Sequence, residues 1–181
     1  MKQKAPLLSM GMFFFLGVMS ALAPVSTDMY IPALPEMTSN FNTTASLIQL
    51  TLSATTLGMA VGQIIIGPLS DAYVRKKPLA IGMAVYLFAS ILASLATSIN
   101  VFLFARLLQG LAGAAGIVVT KAMARDMASG EALTKLMALL MLIGGLAPIF
   151  APVVGGQILL FGTWRYVFDL MALMGFILCI W

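Results

Sequence analysis

Six long apolar runs, at roughly 8–31, 45–69, 78–98, 101–123, 133–160 and 164–181, constrain this 181-residue chain more than any other feature. About 20 consecutive apolar residues cross the hydrocarbon layer as a helix. Inside that layer a helix satisfies its own backbone donors and acceptors. The composition agrees: 61% of residues are hydrophobic and 9% charged, with a mean hydropathy of +1.06, against about 25% charged in a soluble domain. The chain is predicted to be an all-α polytopic membrane protein, one six-helix domain over residues 1–181. The first run lacks a small-residue cleavage site and reads as a retained span, not a removed signal peptide.

The polar residues between the runs set the topology. Residues 67–79 read Gly-Pro-Leu-Ser-Asp-Ala-Tyr-Val-Arg-Lys-Lys-Pro-Leu, with Asp71, Arg75, Lys76 and Lys77 ionised within seven positions. Such a group belongs at a water-facing turn, with the third span starting at Pro78, whose missing N–H costs nothing in a first turn. Lys2 and Lys4 precede the first run, and Lys121, Arg125 and Lys135 flank the turn between the fourth and fifth. Every basic cluster thus falls on one side, which predicts a cytoplasmic N-terminus and multi-pass insertion in the cell membrane. The net charge of +4 is therefore topological and does not point to nucleic acid. With no histidine and a single cysteine, Cys179, an internal disulfide and a Cys/His metal cluster are excluded by inventory. No nucleophile–base pair or phosphate-cradling loop suggests an enzyme.

A few residues stand where lipid would penalise them. Arg106 lies about 9 Å down the fourth span, where an unpaired arginine costs on the order of 3 kcal/mol. It needs an acid or water. Asp28, which closes the first run about 30 Å from Lys4, is the expected partner, with Asp169 as runner-up. Taken alone, Asp28 also reads as an interfacial acid beside a helix end set by Pro32 and Pro35. Gln109, Gly110 and Gly113 follow Arg106 at spacings that share one helix face. This face fits a cavity or a close backbone contact.

The second span carries Gln49, Ser53, Thr56, Ala60, Gln63 and Gly67 on one stripe and the pair Gly58 and Gly62 on another. The first stripe is a candidate wet path, the second a close-packing seam. In the fifth span Pro148 and Pro152, with Gly144, Gly145, Gly155 and Gly156 around them, predict a bent helix whose outer half packs tightly. Met29, Tyr30, Met141 and Phe150 are weak candidates for a soft substrate-lining surface. Apolar packing is the competing reading.

These pieces resemble the major facilitator superfamily, and within it drug:proton antiporters of the Bcr/CflA type. The turn with Gly67, Leu69, Asp71, Arg75, Lys76 and Leu79 resembles that superfamily's motif between spans two and three. Arg106, Gln109, Gly110, Gly113, Ala114 and Ala115 resemble its fourth-span motif, linked to proton coupling. Ala151, Pro152, Gly155 and Gly156 resemble the fifth-span antiporter motif. Thr27 to Pro35 resembles the first-span signature of drug exporters. The chain departs from the pattern at Ala72 and Val74, where relatives usually carry Arg and Gly, and at Ala147 and Ala151, which stand for glycines.

The resemblance implies an N-terminal six-helix bundle of two three-helix repeats, whose second six-helix half would lie beyond Trp181. It also implies export of small drug-like or amphipathic molecules in exchange for protons, with no cofactor beyond the proton gradient. Asp28 would be the proton-carrying acid and Arg106 and Gln109 its respondents. Asp71, Arg75 and Asp126 would form a cytoplasmic latch. Two alternatives stay open on the sequence: a dedicated metabolite exporter on the same scaffold, and a half-sized assembly partner without transport activity.

Overall fold

The computed structural model describes residues 10–180, so Lys2 and Lys4, the first residues of the first run and Trp181 lie outside the described residues. Among the described residues the regular structure is helical: α1 (Met10–Asp28), a 3-10 turn (Ile31–Ala33), α2 (Leu34–Asn40), α3 (Ala45–Ala72), α4 (Lys76–Ser94), α5 (Ile99–Met127), α6 (Gly130–Phe161) and α7 (Arg165–Ile180). Five stretches, the first running from α1 through α2, are long and apolar enough to cross a membrane. The sixth predicted span is α7, whose 16 residues cover about 24 Å.

Several boundaries differ from the hydropathy reading, whereas α3 starts at Ala45 as expected. Thr44 and Ser98 accept hydrogen bonds from the Leu47 and Val101 amides at 3.3 and 3.4 Å, which starts α3 and α5. Pro32 and Pro35 do not end in a loop. They occupy first-turn positions of the 3-10 turn and α2, so much of the expected outer connection is helical. The charged turn shrinks to residues 73–75, with Gly67 inside α3 and Pro78 as the third residue of α4. Val74 needs no glycine-like backbone, since Asn42 is the only non-glycine with positive φ among the described residues. α6 passes through Pro148 and Pro152 as one uninterrupted helix, so no break accompanies the predicted bend.

The helix α5 forms the centre. Its apolar window is 56% buried, against 11% for α6, which places α6 on the outside of the described bundle. α5 packs on α3, α4 and α1, while α6 packs on α1 and α7 on α4. The second helix of each predicted triple thus leans on the first helix of the other, as two three-helix repeats would. Glycines make the α3–α5 seam: a Cβ at Gly58 would fall 2.1 Å from the Leu107 carbonyl oxygen, and one at Gly110 would fall 2.0 Å from that of Thr55. Backbones this close exchange side-chain bulk for main-chain contact.

At the end of the bundle opposite the Arg75 turn, five rings close the interior. Phe102 meets Phe168, Trp164, Phe41 and Tyr30 at centroid distances of 5.2, 5.7, 5.5 and 6.4 Å. The pairs with Phe168, Trp164 and Tyr30 are edge-to-face, an arrangement that adds stabilisation beyond the buried area. They also roof the site below.

Candidate functional site

Arg106 is fully buried in α5, and its charge is met by dipoles and rings rather than by a carboxylate. α1 ends at Asp28, so the last carbonyls of that helix lack intrahelical amides. One guanidinium nitrogen of Arg106 donates to the Ser26 carbonyl at 2.7 Å, capping the negative end of α1. Another donates to the side-chain oxygen of Gln109. The guanidinium carbon also lies 4.2 Å from the Tyr30 ring centroid and 5.4 Å from that of Phe168. Desolvated cation–π contacts of this type are worth about 2 kcal/mol. The Arg106 Nε is buried and has no partner.

The expected ion pair with Asp28 is therefore not made. Asp28 is half-buried and forms no hydrogen bond or ion pair among the described residues. It lies two residues beyond the carbonyl that Arg106 holds. The runner-up Asp169 accepts from the Ser94 hydroxyl at 2.5 Å and does not reach Arg106 either. Arg165 repeats the Arg106 solution at the end of α4, donating to the Ser94 carbonyl and, at 3.1 Å, to that of Ala96.

A directed network spreads from Arg106 and Gln109 into α4. The Gln109 amide donates to Ser90 Oγ at 2.7 Å, and the Ser90 hydroxyl donates to the Tyr86 carbonyl at 2.8 Å. Ser26 commits its only hydroxyl proton to the Leu22 carbonyl at 2.6 Å. Tyr86 must therefore donate across the 2.5 Å contact to Ser26 Oγ. Gln109 additionally approaches the Met171 sulfur of α7 at 3.4 Å. Ser26, Tyr86, Ser90 and Phe168 were not among the residues singled out from the sequence. The signal was present for α4: Gly82, Tyr86, Ser90 and Ser94 recur every four residues and are all buried.

The other predicted residues fall in three places. At the basic end Arg75 donates to Asp71 at 2.7 Å, to Asp126 at 3.0 Å and to Ser70 Oγ at 3.0 Å. Hydrogen bonding to Asp71 and then to Asp126 raises the Arg75 pKa above its ordinary value. Gly67 and Lys76 take no part in this cluster: a Cβ at Gly67 would meet nothing within 4 Å, and Lys76 is exposed. On α6, Gly155 is buried so closely that a Cβ would fall 1.7 Å from the Met29 carbonyl oxygen, whereas Gly156 faces open space and Pro148 is exposed. Pro152 is half-buried.

The four lining candidates do not form one surface. Tyr30 is fully buried and donates to Thr51 Oγ1 at 2.9 Å, because the Thr51 proton is used by Ile48. Met29 and Phe150 border one shallow apolar cleft and Met141 borders another. The polar stripe of α3, Gln49 through Gln63, lies exposed on the outside of the described bundle. Gly113 makes only ordinary contact, at 3.8 Å, with the Tyr86 ring.

Membrane-length helices around a buried, cation-centred polar network define an integral membrane unit of the kind used by small-solute transporters. The chain belongs to the Major Facilitator Superfamily, whose family model matches residues 10–181. It is 40% identical over 167 residues to the MFS-type transporter YdgK of Bacillus subtilis, covering 91% of this chain and 42% of that protein. It is 34% identical to a bicyclomycin resistance protein homolog of Haemophilus influenzae, over 88% of this chain and 40% of the relative. A chloramphenicol resistance protein of Pseudomonas aeruginosa is 35% identical over 84% of this chain and 36% of its own length. The chain thus spans about two fifths of these relatives. Its fold matches part of a solved peptide transporter, a POT mutant in complex with sulfate, with a TM-score of 0.79 at 16% identity, over 93% of this chain and 36% of that one.

Proposed function

We propose that the protein carrying this chain exports small drug-like or amphipathic molecules across the cytoplasmic membrane in exchange for protons. Its named relatives include bicyclomycin and chloramphenicol resistance proteins, which makes those two compounds the first substrates to test. One observation carries the proton-coupled part of the reading: Asp28 is a half-buried carboxylate without a partner, on the terminal turn of α1 that Arg106 holds. A carboxylate in that position can take up a proton without first breaking an ion pair. Its change of charge acts on the same turn that anchors Arg106 and Gln109.

In this reading Arg75, Asp71 and Asp126 form a latch at the cytoplasmic face, and the basic ends of the helices set a cytoplasmic N-terminus. The close contact of Gly155 with Met29 seals the outer half of the α1–α6 seam. A second helical bundle completes the transport path. The test is Asp28→Asn in the full-length protein, reconstituted in vesicles with chloramphenicol as substrate. Uphill efflux driven by a pH gradient is expected to be lost while downhill exchange persists. Unchanged gradient-driven efflux would remove Asp28 from the mechanism.

A further inference from the structure

The last turn of α1 is the part of that helix least able to hold itself. Pro24 removes a ladder hydrogen bond one turn before the helix stops at Asp28, and the Asp28 side chain makes no bond of its own among the described residues. Two side chains from other helices hold this turn instead, both at Ser26. The Arg106 guanidinium of α5 donates to the Ser26 carbonyl at 2.7 Å, and the Tyr86 hydroxyl of α4 donates to Ser26 Oγ at 2.5 Å. The Tyr86 ring is fully buried beside glycines of two further helices. A Cβ at Gly113 of α5 would lie 3.8 Å from its Cδ2 and Cε2, and one at Gly175 of α7 would fall 2.9 Å from its Cδ1. A ring confined in this way presents its hydroxyl at one place.

We propose that Tyr86 is a positioning residue for Asp28: through Ser26 it fixes the terminal turn of α1 in the orientation that keeps the carboxylate half-buried. The proposal rests on the export reading, in which Asp28 carries the proton, and adds to it a residue of α4 that acts on the acid through α1. Removing the phenol oxygen leaves the ring between its glycines and leaves Arg106 on the Ser26 carbonyl. The turn then keeps one tether of the two. Its freed arrangement, with Asp28 open to water, gains population about fivefold, the factor that one neutral hydrogen bond makes.

The experiment labels Asp28 with a water-soluble carbodiimide and glycine methyl ester, in the full-length protein in nanodiscs at one fixed, mildly acidic pH. Mass spectrometry reads the rate, with the exposed Asp71 as internal standard. Tyr86→Phe and Ser26→Ala should each raise the Asp28 rate about fivefold, and the double variant should match either single, because both remove the same bond. A rate equal to wild type in Tyr86→Phe, or additive effects in the double variant, would overturn the proposal. In vesicles, Tyr86→Phe should lower the maximal rate of gradient-driven chloramphenicol efflux at unchanged KM. A general loosening of the bundle would raise KM as well, and that result also counts against a positioning role. Asp28→Asn separates this proposal from the reading beneath it. If efflux survives in that variant, the proton role of Asp28 falls, while the labelling still decides whether Tyr86 sets the turn.

Discussion

Arginine in a membrane interior is usually assigned an acidic partner because opposite charge is the obvious remedy. Here the remedy is the unsatisfied end of a helix, and it operates twice, at Arg106 on α1 and at Arg165 on α4. The i, i+3 pairing of Arg106 with Gln109 was legible in the sequence, as was the need to compensate the cation. The compensating group was not, since a main-chain carbonyl has no letter of its own. Arg106→Gln should cost about 2–3 kcal/mol, the scale of hydrogen bonds to a charged group, read as a lowered unfolding midpoint in detergent. Arg106→Lys should recover little, because an ammonium cannot lie flat on Tyr30 while reaching both Ser26 and Gln109.

At the level of helices, hydropathy located the spans, including the start of α3 at Ala45, and a capping residue accompanies the shift of the α5 start from 101 to Ile99. Thr44 and Ser98 are weak signals beside 20 apolar residues, yet each sets where a helix starts. The glycine-rich fifth span shows what spacing alone leaves open. Gly155 and Gly156 are neighbours in one motif, but only Gly155 faces another backbone. Gly155→Ala should therefore destabilise by about 1–3 kcal/mol, the usual cost of overpacking, and raise passive leakage in vesicles. Gly156→Ala should be silent in both assays. A reversed ranking would show that α6 meets α1 through a different face.

Across the whole molecule, Arg75 ties the α3–α4 turn to the far end of α5. Asp71, four residues earlier at the end of α3, is a local partner, whereas Asp126 is the group that makes the connection long-range. Asp126→Asn should therefore change the transport rate more than Asp71→Asn, with the wild-type rate moving toward the variant's as salt screens the exposed pair. Equal effects would reduce the cluster to a local turn. Five of the six expected spans were readable because membrane helices announce themselves by length, whereas α7, with 16 residues, falls short of that measure. The arrangement of the helices was less readable: α5 is central because its small residues admit neighbours on several sides.

The grip of Arg106 on a peptide oxygen has a consequence for how this protein can change over evolutionary time. A residue whose counterpart is main chain has no second position with which to exchange compensating substitutions. Methods that seek contacts through coupled variation would register Arg106 as solitary with respect to α1. Replacing Ser26 by alanine would break the link to Tyr86 and leave the anchor of Arg106 in place.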